Sequence, residues 1–364
     1  MTDRTDVPAL FRPLTLRGVT LAHRIGVSPM CMYSARDGVP TDWHMVHLGA
    51  RALGGAALVM AEATAVDPVG RISPEDTGLW NDEQAGAFAR VVAFGHAYGA
   101  RMGIQIAHAG RKASTYRPWS GQGALSRADG AWQTVAPSAV AHAGLPVPRA
   151  LGVAEIRTLV EAFGRSAALA RDAGFDVLEV HAAHGYLLNE FLSPLSNRRT
   201  DAYGGDFAGR CRFLFEVLEA VRAAWDDERP LFVRISATDW AQGGWDLDDS
   251  VRLGRELVHR GVDVVDCSTG GVAAYPPEGG PGNQVGFARA IRARAGIATA
   301  AVGRIEDPHQ ADAIVRDGDA DLVLVGRASL RDADLGRHWA QALGARIEWP
   351  VPHEFGRPEY LPTP

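Results

Sequence analysis

Eight short runs rich in apolar and β-branched residues recur along the chain, with helical patterns between them. They are "IGVSPM" (25–30), "ALVMAEA" (57–63), "MGIQIAH" (102–108), "DVLEVHA" (176–182), "LFVRISA" (231–237), "DVVDCST" (263–269), "ATAAVG" (298–303) and "ADLVLVG" (320–326). A clear intervening pattern is 153–174, where Ile156, Leu159, Val160 and Phe163 recur at helical spacing and Gly174 supplies a stop. Alternating strands and helices imply a parallel sheet with right-handed crossovers. Near-continuous apolar strands imply burial on both faces. Eight such units close a barrel, so the expected fold is α/β: one (β/α)8 (TIM) barrel domain spanning 1–364. No linker or low-complexity segment divides it.

Two connections stand out by length: 109–152 after the third strand, rich in Gly, Ala, Ser and Pro, and 183–205 after the fourth. Both leave from the C-terminal face, where active sites of this fold lie, and are expected to wall a pocket. Composition narrows what the pocket serves. Lys plus Arg is 37 against 43 for Asp plus Glu, a net charge of −6. No basic block exists to favour nucleic acid or anionic lipid. Cys31, Cys211 and Cys267 are too few and scattered for a disulfide framework or an iron–sulfur cluster. Neither a signal peptide nor an 18-residue apolar run is evident, so the expectation is a cytoplasmic protein.

The strand ends bring a particular set of groups to the C-terminal face. The first delivers "SPMCMY" (28–33), the second Glu62 and Ala63, the third Gln105 and His108, and the fourth His181 followed by His184 and Tyr186. Arg234 lies within the fifth, Cys267 and Ser268 end the sixth, and the seventh and eighth both end in "VGR" (302–304 and 325–327). Glycine permits close backbone approach and arginine pairs bidentately with phosphate, so the repeated tripeptide reads as a phosphate site. Arg234 is either half of a structural ion pair with Glu62 or Glu179, or a cation for an electron-rich ring. Gln105 suits the edge of a heterocycle or a satisfied core amide. Cys31 is either a small buried hydrophobe or a thiol beside a redox centre.

His181 and His184 converge only if the chain turns after the strand. Converged, they are metal ligands, packing residues or paired donors to a substrate. No third ligand completes a metal set, and none is expected. The other H-x-x-H, His44 and His47, reads as helical and mainly structural.

The stretches "SPMCMYSA", "AHAGRKA", "EVHAAHGYLLNEFLSPLSNRRTDAYGG", "FVRISA", "VDCSTGG" and "VGRASLRDAD" together resemble the Old Yellow Enzyme family of flavin-dependent ene-reductases, over about residues 10–350. The nearest likeness is to the bacterial NADPH dehydrogenase and xenobiotic reductase subgroup. The resemblance implies non-covalent FMN at the barrel mouth, contacted by Ser28, Pro29, Met30, Cys31 and Ala63, with Gln105 at its pyrimidine edge. It places Arg234 near the N1–C2 carbonyl region and gives the phosphate to Gly303, Gly326 and Arg327. It makes His181 and His184 donors to the carbonyl of an activated alkene, Tyr186 the proton source, and Tyr33 a substrate contact. The reductant is NADPH or NADH. A homodimer or homotetramer is implied, with Arg357 on the tail (about 345–364) a candidate to complete a neighbour's pocket. The residues also leave two alternatives: a metal-dependent hydrolase or lyase using His181 and His184, and an FMN barrel reducing a pyrimidine-type substrate.

Overall fold

The computed structural model describes residues 7–273 and 279–357. Eight parallel strands close a barrel in chain order: β1 Ile25–Val27, β2 Leu58–Ala65, β3 Arg101–Ala107, β4 Val177–Ala182, β5 Leu231–Ser236, β6 Val264–Ser268, β7 Ala298–Ala301 and β8 Leu322–Val325. Every residue of β2, β4, β5, β6 and β8 is buried. The expected fold class is therefore the observed one.

The helices between strands are α1 Asp42–Leu53, α2 Asp82–Ala97, α3 Val153–Asp172, α4 Leu187–Leu192, α5 Phe207–Ala224, α6 Leu247–Val258, α7 Val285–Ala295 and α8 Pro308–Arg316. After β8 come α9 Arg327–Arg331 and α10 Leu335–Ala342. Their ends follow local chemistry. Asn81, Asp206, Asp246 and Asp307 each accept a backbone N–H in the first turn of α2, α5, α6 and α8. α3 stops where Gly174 takes a left-handed conformation (φ +91°), close to the boundary expected from sequence.

Side-chain alternation explains why the barrel is greasy at one end and polar at the other. Inward positions run Val177–Glu179–His181 on β4, Phe232–Arg234–Ser236 on β5 and Val264–Asp266–Ser268 on β6. The lowest layer, with Leu58, Met60, Ala300, Leu322 and Leu324, forms an apolar plug. Val19 and Leu21 of an N-terminal hairpin (Leu14–Leu16 paired with Val19–Leu21) seal it from below. The hairpin was not expected, since three-residue strands carry too little pattern to read. A second apolar shell, including Phe88, Phe163, Phe213 and Trp245, fills the space outside the strands.

A register shift between Ala61 and Ala63 interrupts the alternation on β2. Such a bulge re-aims the residues beyond it. Met60 lies in the inner plug, yet Ala63 rather than Glu62 lines the cleft above. Glu62 instead meets His44 of α1 (3.5 Å). His44 also accepts the Thr41 N–H through Nδ1 (2.9 Å), which bears out the structural reading of that residue.

The two long connections are more regular than their composition implied. Residues 109–152 contain short 3-10 turns at Gly110–Lys112 and Arg127–Asp129 and a small pairing of Val135–Ala136 with Arg149–Ala150. Residues 183–205 contain α4, all six residues of which are buried.

Candidate functional site

A cleft at the C-terminal mouth is lined by residues from seven strand ends, among them Ser28, Cys31, Ala63, Gln105, His181 and Arg234. Pro29, Met30, His184, Tyr186, Gly303, Gly326 and Arg327 complete the sequence-selected set on its wall. Two predicted residues lie elsewhere. Tyr33 is in an apolar cluster with Cys31 and Tyr186, its ring edge-on to Trp119 at 5.9 Å. Arg357 lines a separate surface hollow with Arg337 and Trp349 and meets Glu354 at 3.4 Å. It does not enter this chain's own cleft. The rest of the expected tail, 358–364, lies outside the described residues.

The floor of the cleft is a buried cluster of charge. Arg234 Nε lies 3.1 Å from Asp266 Oδ2, directly across the β5–β6 ladder, and Nη1 donates to Ser28 Oγ (3.2 Å). The carboxylate expected from sequence was Glu62 or Glu179; the shortest contact is instead to Asp266. Glu179 stands one strand away, where its Oε1 accepts from Gln105 Nε2 (2.7 Å). That bond fixes the Gln105 amide with its carbonyl end free of Glu179. Burial, with Asp266 nearby, raises the Glu179 pKa to about 8. Burial raises the Asp266 pKa as well, with Arg234 opposing the shift, so two carboxyls that resist ionisation share one guanidinium.

The histidines converge because the chain leaves β4 in a left-handed turn. His184 has φ +61° and Gly185 φ +72°, a conformation uncommon for a residue with a side chain. Gly271 (φ +99°) packs on the His184 backbone so closely that a Cβ would collide with it. The two rings end 5.1 Å apart, edge to face. Tyr186 is 5.1 Å from the other side of His181. The His181 Nδ1 accepts the Ala183 N–H (3.2 Å), which puts the ring proton on Nε2. Burial, then Arg234, pushes both histidine pKa values well below the ordinary value, so both rings are neutral. Among the described residues no group of three or more His, Cys, Asp or Glu is arranged to hold a metal ion.

The rim carries an unspent cation. Arg327 is exposed and makes no hydrogen bond or ion pair with another described residue, whereas Arg304 donates to the Gly279 carbonyl. Beside it Gly303 has φ +111°, and a Cβ there would strike Gln284 and Asn283. Cys31 is a thiol rather than a thiolate: burial, then Asp76 and Glu62, raises its pKa far above the usual value.

Sequence reading missed two contributors and the contact made by a third. Asp266 carried the same signal as Arg234, a charge within an apolar strand, and went unremarked. Lys112 Nζ donates to the His184 carbonyl (2.7 Å) and sits 4.9 Å from the Tyr186 ring centre. Ser268 lies 2.6 Å from His184 Nε2, a contact no spacing rule reveals.

Behind the site, Glu190 of α4 accepts the Arg111 N–H through Oε1 (2.9 Å), and its Oε2 has no hydrogen-bond partner among the described residues. Burial raises its pKa from 4.5 to about 8. The folded state then binds more protons than the unfolded chain between those values, so stability falls as pH rises across that window. Glu190→Gln should flatten this decline. Urea denaturation at a series of pH values checks it; parallel curves for the two proteins would contradict the assignment.

The arrangement, a cleft with a cation and an amide at its floor and, among the described residues, an unpaired arginine at its rim, fits a planar heterocycle bearing a phosphate. An unpaired rim guanidinium suits the phosphate, and the Gln105 carbonyl and Arg234 suit a flavin's pyrimidine edge. This defines a flavin-binding barrel oxidoreductase. The model of the NADH:flavin oxidoreductase / NADH oxidase family matches residues 9–345, and the chain belongs to that family. It is an NAD(P)H-dependent FMN oxidoreductase, as the motif resemblance implied.

Relatives agree over nearly the full length. An NADPH dehydrogenase of Geobacillus thermodenitrificans (strain NG80-2) is 46% identical over 350 residues, 95% of this chain and 98% of that protein. One from Bacillus subtilis (strain 168) is 43% identical over 352 residues, again 95% and 98%. Morphinone reductase, solved in complex with tetrahydroNAD, superposes with a TM-score of 0.77 at 32% identity, covering 96% of this chain and 94% of that one.

Proposed function

We propose that the protein is an ene-reductase, taking electrons from NADPH and reducing the C=C bond of an α,β-unsaturated carbonyl or similarly activated alkene. The observation that carries this reading is the pair of neutral imidazoles at the end of β4, with Tyr186 against His181. FMN held in the cleft supplies two-electron carriage from the nicotinamide to the alkene's β-carbon. Ser28, Pro29, Met30, Cys31 and Ala63 flank it, Gln105 and Arg234 hold its pyrimidine edge, and Gly303, Gly326 and Arg327 take its phosphate.

The protein's own part is electrostatic. His181, through Nε2–H, and His184 donate to the substrate's carbonyl oxygen and stabilise the enolate charge that develops there. Fixed donors in a buried site need not reorganise as water must. Tyr186 holds a proton at neutral pH and delivers it to the α-carbon. Among the described residues no third ligand stands beside the histidines, so the donor set suits hydrogen bonding to a substrate better than a metal-dependent hydrolase. NADPH as the reductant is favoured by the relatives' activity.

Anaerobic half-reactions test the reading. The purified protein should release FMN on denaturation, be reduced by NADPH, and be reoxidised by 2-cyclohexenone with formation of cyclohexanone. Reduced enzyme that no enone, maleimide or nitroalkene reoxidises would overturn it.

A further inference from the structure

We propose that Ser268 is a positioning residue that fixes His184 as the Nδ1–H tautomer, so that the two histidines work as donors from opposite ring nitrogens. Ser268 ends β6 with its Oγ 2.6 Å from His184 Nε2, and its only other hydrogen-bond partner among the described residues is Gln284 Oε1 at 3.4 Å. A hydroxyl has one proton, so two arrangements exist. In the first, Ser268 donates to His184 Nε2, and the ring proton must sit on Nδ1. In the second, His184 donates from Nε2 and Ser268 passes its own proton to Gln284.

Distances decide between them. A hydroxyl-donated bond is normally ~2.7–2.8 Å, and 3.4 Å is far outside that optimum. Gln284 Oε1 already receives the Thr269 hydroxyl at 2.7 Å. The amide cannot turn over without loss, because its Nε2 donates to the Val302 carbonyl (3.3 Å). Ser268 therefore spends its proton on the histidine.

The backbone that carries the ring is held from behind. The His184 main-chain N–H donates to Ser236 Oγ (2.8 Å), and Ser236 donates onward to the Gly270 carbonyl (2.7 Å). With Nε2 occupied by Ser268, Nδ1 is the nitrogen left without a partner among the described residues, and the residue lines the cleft. His181 is the mirror case: the Ala183 N–H fills Nδ1 and leaves Nε2–H. One donor is thus set by a backbone amide and the other by a serine. Without the serine, nothing holds the proton on Nδ1, and a nitrogen lone pair facing a carbonyl oxygen would repel it.

The role in turnover rests on the enone-reductase reading; the tautomer does not. The test is long-range proton–nitrogen NMR of the FMN-loaded, oxidised protein labelled with nitrogen-15 at histidine, with His184→Asn to assign the signal. Wild type should show His184 protonated at Nδ1 and His181 at Nε2. Ser268→Ala should move His184 to Nε2–H or a mixture while His181 stays as it was. Reoxidation of the reduced variant by cyclohexenone should slow roughly 10- to 100-fold, a partial loss of one oxyanion donor. Ser268→Thr, which restores the hydroxyl, should recover both. Wild-type His184 protonated at Nε2, or an unchanged Nδ1–H signal in Ser268→Ala, would overturn the proposal. If the tautomers behave as stated while no enone reoxidises the wild type, the serine's assignment stands and the proposed substrate class falls.

Discussion

His184→Ala is expected to lose on the order of a hundredfold or more in reoxidation by an enone, the size seen when one preorganised oxyanion donor is removed. Its reduction by NADPH should suffer far less. The asymmetry follows from where charge develops. In the proposed alkene reduction the carbonyl oxygen gains negative charge, and the two neutral imidazoles are the fixed donors that would meet it. Reduction of the flavin develops no such oxyanion. Stopped-flow measurement of the two half-reactions separates the effects. Equal losses in both would mean that His184 shapes the cleft rather than stabilising charge. The left-handed backbone at this position (φ +61°) adds a structural control: alanine tolerates that conformation poorly, so His184→Gly, which removes the donor without that strain, should give the cleaner measurement.

The reach of sequence reading here follows from periodicity. The eight barrel strands were legible because burial on both faces leaves unbroken apolar runs, and the polar intruders Gln105 and Arg234 stood out against them. The glycine-arginine rim was legible because the same tripeptide ends β7 and β8. What escaped was anything set by the third dimension. The Arg234 partner lies one strand over, at Asp266, a choice made by ladder register rather than by proximity in sequence. Ser268 and His184 are 84 residues apart and meet only because β4 and β6 both feed the same mouth. The bulge that turns Glu62 out to His44 and Ala63 into the cleft leaves no trace in composition. The N-terminal hairpin is too short to show a period, although it seals the barrel floor.

Arg234→Met should destabilise the fold by about 3–5 kcal/mol, the range for stripping one partner from a buried ion pair, and should also shed FMN. Asp266 is fully buried and Glu179 equally so, with Arg234 the cation that opposes both. Removing it takes away the chief influence holding the Asp266 pKa down, so that carboxyl must bind a proton to stay inside. The folded state then holds more protons than the unfolded chain over a wider pH range, and the variant's deficit should grow as pH rises. Urea denaturation at acidic and alkaline pH measures this; a deficit independent of pH would show that Asp266 does not carry the loss. The double variant Arg234→Met with Asp266→Asn separates fold from function. It removes the orphaned charge, so most of the stability should return. If Arg234 is also the cation that holds the flavin's pyrimidine edge, FMN affinity should stay low in that variant. Recovery of full FMN binding together with stability would reduce Arg234 to half of a structural pair.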